Sequence, residues 1–170
     1  MSPTALLYLQ FYMSLLTFGL IARRYWIPAM RAQPFAAAVA PVLLLHSFRH
    51  LGMIYLNPAV IPDPPAPGFA GPTAWGDLAA AALALVALAS LRLGDGLPAR
   101  AAVWLFNLVG FADLGLASVN AQRFQMLSKP IGVAFLLPVI VVPALLVTHG
   151  LVFWLLLRRA PAHVAAAAAA

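Results

Sequence analysis

The chain has no cysteine and no glutamate, and a single lysine among its 170 residues. Without cysteine there are no disulfides, thiolate metal sites or cysteine nucleophiles, and the redox compartment stays open. Charge of either sign is scarce. Only 8% of residues are charged, against about 25% in an ordinary soluble domain, while 64% are hydrophobic and mean hydropathy is +0.96. That balance belongs to an integral membrane protein. No basic stretch precedes the first apolar run; Arg23 and Arg24 follow it, the wrong order for a cleavable signal peptide. The run therefore reads as a permanent helix.

Other absences remove whole classes of chemistry. There is no glycine-rich phosphate loop, no serine in a nucleophile elbow, and no second carboxylate expected beside Asp113 for glycosidase work. Ser47 adjoins His46, but helical neighbours point about 100° apart, which disfavours a dyad. A net charge of +6 could suggest nucleic acid, yet the arginines stand at the ends of apolar runs and the aromatics form no stacking platform. Basicity here signals topology.

What is present is an all-α pattern of five transmembrane segments. They are expected over about Thr4–Ala22, Phe35–Asn57, Asp77–Leu93, Ala101–Asn120 and Ile131–Leu157, forming one domain over 1–160 with an Ala-rich tail at 161–170. Gln10, Ser14 and Thr17 give the first segment a polar stripe expected to face other helices. Arg23, Arg24, Trp26, Pro28 and Arg31 then form a basic, aromatic exit. Pro41 is expected to kink the second segment. Residues 58–74 read as an extended loop, too proline-rich for a helix, and 121–130 as a polar connector. Asp77, Ala80, Ala84 and Ala87 align as a small-residue face suited to close approach by another helix, and LGDGLP at 93–98 is a tight turn. With the amino terminus outside, the inner side receives Arg23, Arg24, Arg31, Arg92, Arg100, Arg158 and Arg159, and the outer side only Arg123 and Lys129. The count favours amino terminus out and carboxyl terminus in, and it places Trp75 near the outer interface.

The informative stretch is Leu43–Asn57, LLLHSFRHLGMIYLN. At α-helical spacing His46, Arg49, His50, Met53 and Asn57 share one face, with Leu44, Leu45, Leu51 and Tyr55 on the other. An arginine there costs roughly 2.5–3.5 kcal/mol to insert, so it needs a partner or a wet cavity. Counting about 1.5 Å per residue puts His46, Arg49, His50, Asp113 and His149 in one middle layer. Asp77 and Asn107 are expected behind it, holding the layer's side chains in place. Gly110 and Gly115 read as close-packing positions.

Three roles suit that layer. Arg49 and Asp113 can form a buried ion pair while the histidines and Asn107 bond across helices, in a non-enzymatic subunit or binding module of a larger membrane assembly. The His and Asp groups can also relay protons or ions. Alternatively, His46, His50, His149 and Asp113 can ligate a divalent metal, or one histidine paired with His149 can hold a haem. Whether the protein is an enzyme stays open. The expected partners are the lipid bilayer and other chains or further copies, docking through the Ala-rich third segment and the lipid-facing sides, with no nucleic acid.

At FRHLG (48–52), WGDL (75–78), FNLVGFADL (106–114) and VTHG (147–150) the chain resembles an uncharacterised family of small multi-pass bacterial membrane proteins. The likeness covers most of the chain and implies no activity. It draws attention to Arg49, Asp77, Asn107, Asp113 and His149, residues already reached from their polarity. The excess of Arg over Lys and the abundant Ala suit a GC-rich bacterial genome, and hence a bacterial inner membrane.

Overall fold

Proline marks the helix starts. Pro3, Pro67 and Pro98 each stand in the first turn of a helix, where a missing N–H breaks no bond and a fixed φ favours entry. The computed structural model describes residues 1–61, 63, 65–126 and 129–158, and among them there is no strand. Five helices are long and apolar enough to cross a membrane: α1 (Pro3–Arg31), α2 (Phe35–Leu56), α3 (Pro67–Arg92), α4 (Leu97–Arg123) and α5 (Gly132–Leu157). Arg159 and the Ala-rich tail lie outside the described residues.

Two boundaries differ from the sequence reading in ways that matter. α3 begins ten residues before Asp77, so residues 67–74 are helix and not extended loop. Pro67 fits the first turn, and Pro72 removes only one main-chain bond near the helix start. Asp77 thereby moves about 15 Å inside the helix, and Trp75 moves away from the mouth with it. α4 begins at Leu97 and runs to Arg123, absorbing part of the expected connector.

α1 likewise continues past Ala22. A π turn over Ala22–Trp26 lets the Ile27 N–H reach the Ala22 carbonyl, and Pro28 follows immediately. α5 repeats the device: a π turn over Leu137–Val141 has the Val142 N–H on the Leu137 carbonyl, directly before Pro143. In each helix the widened turn directly precedes a proline, which has no N–H to donate and whose ring crowds the carbonyl four residues back.

The largest departure lies in α2. It is α-helical over Phe35–Ser47, passing through Pro41, and becomes a 3₁₀-helix over Phe48–Leu56. Three residues per turn bring every third side chain into line. His46, Arg49, Gly52 and Tyr55 are buried, whereas His50 and Asn57 are exposed and Met53 half-buried. The expected stripe 46, 49, 50, 53, 57 is therefore replaced by 46, 49, 52, 55, and Tyr55 changes sides.

Packing forms two apolar clusters with a polar layer between them. One gathers Val39, Leu43, Ala84, Phe106, Val152 and Leu155; the other gathers Tyr55, Ile61, Phe69, Met126 and Ile131. α3 is the central helix, packing closely on α4 and on both halves of α2. Ala80, Ala84 and Ala87 are all buried, so the small-residue face is occupied within the chain and not offered to a partner. α1 is peripheral and packs chiefly on α5, with Leu7 the one buried residue of Pro3–Ile21. Gln10 and Thr17 point outward, and the Thr17 hydroxyl donates to its own Met13 carbonyl at 2.8 Å. A hydroxyl satisfied by its own helix has no need of an inward face.

At one end of the bundle Arg100 lies 4.4 Å over Phe35, and Arg31 and Arg158 lie 5.9 Å and 5.1 Å from Trp154. Arg158 also donates to the Gln33 carbonyl at 3.0 Å. Burial first, then the charges of Arg100 and Arg31, lower the Arg158 pKa below the ordinary arginine value. Three of the arginines expected on one side thus share one end.

Candidate functional site

The site is built on Arg49, which the 3₁₀ turn aims between α3, α4 and α5. Its side chain is fully buried, and its donors reach four acceptors. Nε donates to Asp77 Oδ1 at 2.8 Å and Nη2 to Asp113 Oδ2 at 2.5 Å. Nη1 donates to the Gly110 carbonyl at 2.9 Å and lies 3.3 Å from His149 Nε2. Guanidinium geometry suits this division: a rigid planar fork serves two carboxylates, a carbonyl and a ring nitrogen at once.

Three glycines make the approach possible. A Cβ on Gly52 would overlap the Asp77 carboxylate, and one on Gly76 would overlap that of Asp113. A Cβ on Gly110 would meet Arg49 Nη1 and His149 Cε1, each at 2.8 Å. Gly115, on the same helix, meets nothing within 4 Å, so of the two glycines noted in α4 only Gly110 serves close packing.

Histidine chemistry follows from the donors. Arg49 can only donate, so His149 Nε2 accepts and the ring is neutral, with its proton on Nδ1. That Nδ1–H donates to Asn107 Oδ1 at 2.7 Å, and Asn107 Nδ2 returns to the His149 carbonyl at 3.4 Å. The Thr148 hydroxyl donates to its own helix carbonyls, Ala144 at 2.9 Å and Leu145 at 3.0 Å. His46 Nε2 must then be the donor in its 2.9 Å bond to Thr148 Oγ1. The two histidine rings meet edge to face at 4.3 Å, with Phe106 against both. His46 Nδ1 is buried and without a partner.

The structure therefore brings together Arg49, Asp113, His149 and His46, with Asn107 fixing His149. Asp77, expected behind the first contacts, is a direct partner of Arg49. Asp77 is also the second carboxylate beside Asp113 that the sequence reading did not expect, because the longer α3 carries it to the same guanidinium. His50 stands apart: it is exposed, and its Nδ1 lies 2.9 Å from the Ser47 carbonyl of its own helix. Among the described residues no group of three or more His, Cys, Asp or Glu side chains converges as a metal site. His46 Nδ1 is the one ring nitrogen of His46 and His149 left without a bond, and rings 4.3 Å apart leave no gap for a porphyrin plane between them. The donor set fits hydrogen bonding and does not fit metal or haem ligation.

Sequence reasoning missed Gly52, Gly76, Thr148 and Thr73 as parts of the site. Gly52 follows Arg49 by three residues, the spacing of a 3₁₀ turn, and Thr73 precedes Asp77 by four, one α-helical turn. Both signals were visible only once the helix types and limits were known.

Asp77, Arg49 and Thr73 also line a cavity of about 270 Å³ that is walled mainly by apolar side chains of all five helices. Its walls come from the start of α1, the 3₁₀ half of α2, the first turns of α3, the end of α4 and the start of α5. It therefore occupies the half of the bundle away from Arg31, Arg100 and Arg158.

No curated protein and no solved structure matches the chain. A family model described as Domain of unknown function (DUF8737) matches residues 6–157, and the chain belongs to that family.

Proposed function

We propose that this protein is a non-enzymatic binding module of a bacterial inner membrane, lying with its amino terminus outside and serving a larger membrane assembly. It holds one small amphiphilic molecule within the bilayer. The observation that carries this reading is the cavity beside the ion-paired layer: apolar walls on most sides and a polar end made by Asp77, Arg49 and Thr73. Ligand sites have this composition, a mainly apolar pocket with a few placed polar groups. The positive-inside count would place the cavity in the outer half, reachable from the outer leaflet past α1. Leu7, Phe11 and Tyr12 of α1 close that side.

The test is to purify the protein in mild detergent from its own membrane and analyse small molecules and chains that travel with it. Ala117, in the cavity wall, is replaced by Trp in a parallel preparation. A lipid-like molecule retained by the natural chain and lost from Ala117→Trp supports the reading. Identical extracts from both preparations, or no retained molecule, would reject it.

A second reading has its own observation. One guanidinium faces two carboxylates, an arrangement one negative charge in excess when all three are ionised. A proton can supply the balance, which suits proton transfer through Asp77 and Asp113. Proton flux into proteoliposomes that is equal for the natural chain and Asp113→Asn would dispose of it.

A further inference from the structure

Thr73 differs from the other hydroxyls of the bundle. Thr17, Ser90, Ser118 and Thr148 each donate to the carbonyl four residues back in their own helix. Thr73, 5% exposed and lining the cavity, has an Oγ1 with no partner at all. Unsatisfied buried hydroxyls are uncommon and call for a cause. One helical turn on, Asp77 accepts from Arg49 through Oδ1, while its Oδ2 receives no donor among the described residues. The polar end of the cavity is thus lined by Thr73 and Asp77, one turn apart on α3, which carry a hydroxyl and a carboxylate oxygen without a donor.

Arg49 is not available to a ligand in the same way. Four of its five N–H groups are engaged by Asp77, Gly110, His149 and Asp113. An anionic head would meet the Asp77 carboxylate and an occupied guanidinium. Around the same space stand the rings of Tyr8, Phe11, Tyr12, Phe48, Tyr55 and Phe69. Aromatic rings offer an apolar chain a broad contact surface.

Resting on the amphiphile-binding reading, we infer that the cavity takes an amphiphile with a cationic amine head, its N–H groups on Asp77 Oδ2 and Thr73 Oγ1 and its apolar body among the aromatic rings. The head's positive charge offsets the surplus carboxylate of the Arg49 layer. An ammonium also supplies the donors that both oxygens lack, which a fatty acid carboxylate cannot.

The experiment uses the full chain in phosphatidylcholine nanodiscs at pH 7 with three probes of equal chain length: dodecylamine, dodecanol and dodecanoate. Retention per protein is counted by native mass spectrometry, with Ala117→Trp as the filled-cavity control. Dodecylamine is expected to reach one per protein at a concentration at least tenfold below dodecanol, and dodecanoate to remain at the control level. Thr73→Val, which leaves the Arg49 pairs untouched, is expected to weaken dodecylamine about tenfold, and Asp77→Asn at least as much. Dodecanol or dodecanoate retained as well as the amine would overturn the cationic head and leave the amphiphile cavity standing. All three probes at the control level would overturn both. Unchanged amine retention in Thr73→Val would remove Thr73 from the site and with it the head placement, whether or not Asp77→Asn folds.

Discussion

The two halves of α2 are continuous in one span and follow different rules. Over Phe35–Ser47 the chain is α-helical, and Phe35, Ala38, Val39, Val42, Leu43 and His46 fall on its buried face at spacings of three and four. Over Phe48–Leu56 it is 3₁₀, and the buried set is Arg49, Gly52 and Tyr55 at a strict spacing of three. The first half fills an apolar cluster, where any well-shaped side chain suffices. The second half must deliver one guanidinium to carboxylates on two helices while passing so close to α3 that only glycine fits beside Asp77. A 3₁₀-helix is narrower than an α-helix and stacks its residues in a straight row, so the change of helix type is what aligns Arg49 over Gly52.

The sharpest way to break this contrast is to remove the charge that distinguishes the second half. Arg49→Met leaves two carboxylates without their shared partner and is expected to cost about 3–5 kcal/mol, read as loss of thermal stability in detergent. Adding Asp77→Asn and Asp113→Asn to it should recover part of the loss, since a buried pair removed whole costs less than one broken. A triple variant less stable than Arg49→Met would contradict that. Next in size, Gly52→Ala and Gly110→Ala force Cβ atoms against Asp77 and against Arg49 and His149, for about 1–3 kcal/mol each. Gly115→Ala, on open helix surface, should be neutral or gain up to about 1 kcal/mol. Equal unfolding temperatures for the Gly110 and Gly115 variants would show that close approach is not the reason for glycine.

How much of this was readable beforehand divides along the same line. Segment number, the buried arginine and its pairing with Asp113 all follow from hydropathy and the cost of an unpaired charge, quantities carried by the apolar runs and the charges inside them. Pro67 and Pro72 look like loop residues and so put Asp77 at a helix start, although proline is tolerated in the first turns of a helix. A period of 3.6 puts His50 on the buried face, whereas the chain uses 3.0 there, and a nine-residue stretch contains both patterns. Helix type is set here by what α3 presents to α2, a tertiary fact that local sequence does not hold.

Smaller effects sharpen the contrast from outside the layer. The Arg100–Asp95 pair, at 3.1 Å and over a third exposed on each side, makes the same kind of contact as Arg49–Asp77 in a wet setting. Asp95→Ala should therefore change stability by less than about 1 kcal/mol, and salt titration should erase the difference. His50→Ala, outside the layer, is expected within about 0.5 kcal/mol of the natural chain by the same thermal assay. A loss several times larger would return His50 to the site.

The most direct test is the register of α2 itself, and the absence of native cysteine makes it simple to perform. Spin labels are attached to single cysteines introduced at Phe48, His50, Met53 and Tyr55 in lipid bilayers, and oxygen accessibility is read by power saturation. The 3₁₀ register predicts high accessibility at 48 and 50, an intermediate value at 53 and the lowest value at 55. Low accessibility at 50 and 53 with a high value at 55 would restore the α-helical face and contradict the account of how Arg49 reaches both carboxylates.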